Sequence, residues 1–282
     1  MTDRRNVFKI TVFILVLLPM NALYQLGWAE EVKTVRTPSA QEIVEKANKV
    51  AYYQGKHGRA KVSMTITDDQ GRKRYRQFTI LRRNEDVGEK CCGEQKFYVY
   101  FHRPADVNKM VFMVWKHIDK HDDRWLYLPA LDLVKRIAAS DERTSFVGSH
   151  FFYEDVSGRN PNEDKHELLE TTKNYFVLKS TPKDPKAVEF ASYTMWIHRK
   201  TFVPVKIEYY HKKGEKYRVY EVLKVDTIQG YPTVTESRMK DLRTKGETVI
   251  EYKDVKYNLG LPDNIFTERY LRRAPTKYLR QR

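Results

Sequence analysis

The chain has 282 residues, with 52 Lys and Arg against 37 Asp and Glu and a formal net charge of +15 at pH 7. A surface this basic favours anionic partners, and only two cysteines, the neighbours Cys91 and Cys92, argue against a disulfide framework. The length suits one large β domain.

The chain starts with Arg4, Arg5 and Lys9, followed by an apolar run over 7–18 and small residues at Gly27 and Ala29. Residues 1–29 therefore read as a secretory signal cleaved near Ala29. The run of about twelve apolar residues falls short of the ~20 that span a bilayer. No cysteine follows it that could carry a lipoprotein anchor. Cleavage leaves a net charge of +13, and for an exported protein lipid headgroups or acidic protein patches are better partners than nucleic acid.

A polar linker over 30–38 leads to a helix with a clear start. Ser39 and Glu42 have the spacing of a capping box, and Ile43, Val44, Ala47 and Val50 repeat on one face. The helix is expected to end near Gly55.

From Arg59 the period changes to two, which sends alternate side chains to opposite faces of a sheet. Met64 and Ile66 alternate with polar residues, Phe78 and Ile80 return after the turn Asp68-Asp69-Gln70-Gly71, and Phe97, Val99 and Phe101 continue the apolar face. Residues 110–115 are apolar on both faces. Trp125–Leu128 answers them, Lys135-Arg136-Ile137 forms a short strand, and an irregular stretch from 130 to 162 carries Phe151, Phe152 and Tyr153. Further strand-like runs extend to Tyr257, and a basic tail over 276–282, expected to be partly disordered, closes the chain. The succession predicts a mainly β (α+β) fold, a strongly curved antiparallel sheet or half-open barrel of about 11 strands with one N-terminal helix.

No catalytic motif stands out. His117 and His121 lie beside several aspartates, but in a turn rather than on a helix, and His166-Glu167-Leu168-Leu169-Glu170 lacks the second histidine of a zinc-protease motif. No enzyme, metal or cofactor is expected. An apolar space enclosed by the sheet, with the helix (Ile43, Val44, Ala47, Val50) as its lid, is the candidate site. Its expected lining is Met64, Ile66, Phe78, Ile80, Phe97, Val99, Phe101, Phe112, Val114, Trp125 and Tyr127, with Phe151, Phe152 and Tyr153 on the rim facing cargo or a partner. The same residues are also compatible with a dry packed core.

Several stretches carry a family resemblance: Met64-Thr65, Phe101-His102-Arg103-Pro104, Trp125-Leu126-Tyr127-Leu128-Pro129, Lys135-Arg136-Ile137, and Phe146, Gly148, Ser149 and Phe152 to Asp155. With them the chain, over about 40–275, resembles the LolA-like outer membrane lipoprotein-sorting proteins of bacteria, which share the carrier fold of LolA and LolB. The resemblance implies a domain over 39–275, a half-open barrel with a helical lid, and a cavity for acyl chains. It also implies a monomeric periplasmic carrier moving lipid or lipoprotein between inner and outer membrane, with transient membrane contact and a transporter of the resistance-nodulation-division type as partner. Lys135, Arg136 and the basic tail are candidates for meeting anionic headgroups. A second reading is a non-carrier adaptor protein with a filled barrel, whose Phe151-Phe152-Tyr153 loop docks a transporter. An envelope hydrolase is a third, for which no nucleophile and base can be named.

Overall fold

A computed structural model describes residues 37–85 and 92–279. The expected signal peptide, most of the linker and the last three residues of the tail lie outside the described residues.

The first described element, α1 (Ala40–Tyr52), begins as its sequence dictates. Ser39 Oγ accepts the backbone N–H of Glu42 at 3.2 Å, and the Glu42 carboxylate accepts the Ser39 N–H at 2.6 Å. The helix stops three residues before Gly55, where polar side chains of the barrel wall take over its free carbonyls. Gln95 donates to the Tyr52 carbonyl at 2.8 Å, Asn84 donates to those of Tyr53 and Gly55 at 3.0 and 2.9 Å, and Arg82 donates to those of Tyr52, Gln54 and Gly55. The last turn of a helix leaves carbonyls unpaired, so these bonds fix α1 to the sheet.

Thirteen strands follow among the described residues. The first six are β1 (His57–Thr67), β2 (Lys73–Asn84), β3 (Gln95–Arg103), β4 (Val111–Lys116), β5 (Asp123–Leu128) and β6 (Leu133–Ile137). The others are β7 (Asp164–Thr171), β8 (Tyr175–Pro182), β9 (Ser192–His198), β10 (Pro204–Tyr210), β11 (Lys216–Ile228), β12 (Tyr231–Asp241) and β13 (Gly246–Tyr257). They form one sheet in the order β6-β5-β4-β3-β2-β1-β13-β12-β11-β10-β9-β8-β7, with every pair antiparallel. The first and last strands of the chain's two hairpin series meet where β1 pairs with β13, and β6 and β7 remain as edges. The sheet is the half-open barrel that the alternation predicts, with thirteen strands instead of about 11.

Three apolar clusters cover its faces. Inside, β1 to β4 contribute Val62, Met64, Ile66, Phe78, Phe97, Val99, Phe101, Phe112 and Val114 to one cluster. Beyond the seam, Ile43, Val44 and Ala47 of α1 pack on Phe176, Leu178, Met195 and Ile197 of β8 and β9. Outside, a C-terminal segment containing α3 (Arg269–Arg272) and α4 (Thr276–Leu279) lays Leu261, Ile265, Phe266, Leu271 and Leu279 over Leu81, Tyr98, Val111, Met113 and Trp125. Leu279, within the basic tail, is buried in it. The segment corrects one expectation. Trp125 and Tyr127 do not face the interior: they belong to the outer cluster, and Trp115 beside them donates its indole N–H to the Phe266 carbonyl at 2.7 Å.

The irregular stretch between β6 and β7 folds into the barrel as a plug. Phe146 and Phe151 close a tight loop, the Phe146 N–H donating to the Phe151 carbonyl at 2.8 Å, and α2 (Tyr153–Ser157) follows. The Phe146 ring lies 6.1 Å from Phe78, 5.9 Å from Phe101, 5.5 Å from Phe112 and 5.5 Å from Tyr153. Gly158 ends α2 at φ 76°, where a Cβ would stand 2.5 Å from the Tyr52 ring at the end of α1. Only glycine fits both that conformation and that approach.

Phe146 is 2% exposed, and its removal leaves a void among four aromatic neighbours. Phe146→Ala should therefore lower unfolding stability by ~3–5 kcal/mol, as truncation of a core aromatic does, read as a shift in the urea midpoint at unchanged slope.

Candidate functional site

Between α1, the plug and the inner face of the sheet lies a cavity of about 340 Å³. Val44, Ala47, Val50 and Ala51 form its helical side, and Met64, Phe78, Ile80 and Phe97 form one wall. Met195, Ile207, Met239 and Ile250 form the other, and Phe146, Phe151 and Val156 close the end toward the plug. These walls come from strands far apart in sequence because the β1–β13 pairing brings the two halves of the sheet together. Methionine on both walls makes the surface adaptable in shape, since its unbranched side chain fills irregular space.

The expected site residues fall into three groups. Met64, Phe78, Ile80 and Phe97 line the cavity, as do Val44, Ala47 and Val50 of the helix, while Ile43 is turned into the cluster with β8 and β9. Ile66, Val99, Phe101, Phe112 and Val114 face inward but belong to the packed cluster that holds the plug residues Phe146, Phe151 and Tyr153. Trp125 and Tyr127 are on the opposite face. The residues placed on the rim are also elsewhere: Phe151 and Tyr153 are 6% and 9% exposed inside the barrel, and Phe152 lies under the Arg218 guanidinium at 3.8 Å from its ring centre. The barrel is thus filled at the plug end and hollow beneath α1.

Polar groups gather at the cavity's edge, and the pattern of alternation gave no sign of them. Tyr52, Tyr193, Tyr209, Tyr220, Tyr252 and Tyr257 line it, together with Asn48, Arg82, Glu154, Asp155 and Arg159. Ion pairs bolt the plug to the wall: Arg124 to Glu142 at 2.7 Å, Arg143 to Glu189 at 3.0 Å, Arg159 to Asp164 at 3.0 Å, and Arg218 to Asp155. No group of three or more His, Cys, Asp or Glu among the described residues is arranged to hold a metal ion. His117, in the β4–β5 turn, bonds Glu94 and Asp123, and His166, on edge strand β7, bonds Ser180 and the Pro161 carbonyl. Cys92, in the β2–β3 connection, is disulfide-bonded, and Cys91 lies outside the described residues.

Residues 93–273 match a family model described as that of an uncharacterized protein. Two solved structures are similar along nearly their whole length. One is a DUF1329 family protein from Desulfovibrio piger, with 26% identity, a TM-score of 0.75, and coverage of 82% of this chain and 97% of that one. The other is described as an outer membrane lipoprotein-sorting protein domain from Vibrio parahaemolyticus, at 26% identity and a TM-score of 0.75, covering 83% and 98%. The chain belongs to the family whose model it matches, and its fold is LolA-like. A LolA superfamily protein from Nitrosomonas europaea shares the fold, with 23% identity, a TM-score of 0.63, and coverage of 83% and 100%. No curated protein matches the chain.

In this LolA-like domain the carrier-type fold holds an unusual carboxylate. Glu154, on α2 in the plug, is 9% exposed, and burial pushes it up to about 7 although Arg159 and Arg143 oppose the rise. Glu208, on β10, goes the other way: burial would raise it, but hydrogen bonds from Lys206, Tyr210 and Lys216 hold it at about 2.

The two carboxylates act in separate pH windows. Glu154 binds its proton more tightly folded than at its ordinary 4.5, so its contribution is full below about 4.5 and is lost as pH rises through about 7. Glu208 contributes above about 4.5 and loses that contribution as pH falls toward 2. Between pH 4.5 and 8 the Glu154 contribution should cost wild-type protein ~3 kcal/mol at most, and Glu154→Gln should flatten that slope. Urea unfolding at pH 5 and pH 8 measures both.

Proposed function

We propose that the protein is a non-enzymatic carrier that encloses the acyl chains of a lipid or lipoprotein in the cavity beneath α1 and moves them through the periplasm between inner and outer membrane. The observation that carries the reading is the hollow itself. The barrel is packed solid by the plug at one end, yet about 340 Å³ between α1 and the two apolar walls stays unfilled. That volume lies within the ~300–1,000 Å³ of small-ligand sites, which are mainly apolar with a few polar groups. Interiors otherwise pack with few voids, so a space of this size under a helix is suited to an occupant.

The energetics fit hydrocarbon. Each buried methylene contributes ~0.8 kcal/mol, so ten supply ~8 kcal/mol, which corresponds to micromolar affinity before the cost of ordering the chain. Access requires α1 to part from the wall. The strands behind it are held by continuous ladders, whereas α1 is held by side-chain packing and by bonds to its last carbonyls. Export by a signal over 1–29 places the carrier in the periplasm, and an inner-membrane transporter of the resistance-nodulation-division type is the proposed source of its cargo. The burial of Phe151 and Tyr153 removes the exposed aromatic loop on which an adaptor role depended.

Ala60 lines the cavity from β1, opposite Ile80 of β2, and Ala60→Trp would occupy the hollow without touching α1's caps. Delipidated wild-type protein should bind a fluorescent fatty acyl probe and extract lipid from vesicles, and Ala60→Trp should bind the probe at least ~10-fold more weakly, a loss of ~1.4 kcal/mol. A wild-type protein that binds no probe, or a variant that binds it undiminished, would exclude the cavity as the site.

A further inference from the structure

A second cavity of about 260 Å³ lies beside the first. Glu45 and Asn48 of α1, Tyr53, Lys116 and His117 at the end of β4, and Asn160 line it, and Asn48 and Pro161 line both cavities. Ile118, Cys92 and Pro161 complete its lining, so an apolar space and a smaller one that adds several polar side chains to apolar ones share a wall.

Two groups in that space have hydrogen-bond donors left over. Lys116 is 4% exposed and donates to the carbonyls of Ser157 at 2.7 Å and Gly158 at 2.8 Å. The Tyr52 and Tyr53 rings lie 5.5 and 5.9 Å from its Nζ, but an ammonium has three N–H donors, so one is left for an acceptor, and Lys116 has no ion pair among the described residues. The carboxylates around it are taken by other cations: Asp122 by Arg124 at 2.8 Å, Glu154 by Arg159 at 3.1 Å, Glu163 by Arg159 at 2.6 Å, and Asp123 by Arg136. Burial accordingly lowers Lys116 to about 8, against the pull of Asp122 and Glu154. A buried cation is costly unless it meets an anion and hydrogen-bond acceptors.

The second group is the Asn48 side chain. It is 9% exposed at the boundary between the two cavities and has no hydrogen-bond partner among the described residues. A primary amide offers two donors. His117 supplies none, because Glu94 and Asp123 occupy both of its ring nitrogens at 3.1 and 3.2 Å.

We infer that this second cavity takes the phosphodiester headgroup of a glycerophospholipid-type cargo, with Lys116 and Asn48 donating to its oxygens while the chain lies in the large cavity. The inference rests on the carrier reading above and adds a headgroup preference to it. Lys116 donates from the strand side and Asn48 from the helix side, so the ligand must present several acceptor oxygens to both. A phosphodiester beside an ester does so, and a bare alcohol does not. The volume also exceeds what a single carboxylate fills.

The test compares three amphiphiles that share one palmitoyl chain: lysophosphatidylethanolamine, palmitate and monopalmitoylglycerol. Isothermal titration of delipidated full-length protein should give the lysophospholipid at least a tenfold preference over each of the others. Asn48→Leu and Lys116→Met should each bring that preference within about twofold, with thermal unfolding confirming that the variants are folded. If Lys116→Met fails to fold, Asn48→Leu decides alone. Equal affinities in wild type, or a preference that survives Asn48→Leu, would overturn the headgroup site while leaving the carrier reading intact. Failure of all three amphiphiles to bind would remove both.

Discussion

Thirteen antiparallel strands bent into one sheet create an inner apolar face that its own hairpins cannot bury, and the rest of the molecule answers that constraint. Helix α1 covers the half formed by β8 to β11, the plug between β6 and β7 covers the half formed by β1 to β4, and the cavity is what remains between them. The two covers are held differently. The plug presents a cluster of aromatic rings and is pinned by paired arginines and carboxylates, whereas α1 offers a narrow stripe of small aliphatic residues and is secured mainly through its C-terminal carbonyls. Packing of the first kind forms a permanent wall, whereas in the proposed carrier α1 is the cover that has to move.

The outer face has its own cover. Leu261, Ile265, Phe266 and Leu271 shield Tyr98, Val111, Met113 and Trp125, which would otherwise form an exposed apolar patch on a curved sheet. This explains why β4 is apolar on both faces: Phe112 and Val114 meet the plug while Val111 and Met113 meet the C-terminal segment. A strand buried on both sides loses the alternation that marks a half-exposed one.

That loss also marks where the sequence stops being informative. In β1 to β3, polar residues alternate with apolar ones, and Met64, Phe78 and Phe97 could be assigned to the inner face directly. In β5, aromatic Trp125 and Tyr127 alternate with aliphatic Leu126 and Leu128, so both faces read as apolar, and the partner that decides between them lies more than 130 residues further on. The capping box of Ser39 and Glu42 is local and was readable. The plug was readable only as an anomaly: aromatic residues in an irregular stretch signal a special role, but whether the stretch turns outward or inward depends on the space enclosed by distant strands. Buried polar groups such as Asn48, Lys116 and Glu154 had no local signal, because Asn, Lys and Glu on a helix or at a strand end ordinarily face water.

The central claim is that the hollow beneath α1 carries lipid. Native mass spectrometry of the protein expressed from all 282 residues and released gently from its host cells tests it most directly. The account predicts a population carrying one bound acyl lipid, released on mild activation and identified by its fragment masses. A spectrum containing only the bare protein, from cells rich in lipid and under conditions that preserve lipid complexes of known carriers, would contradict it.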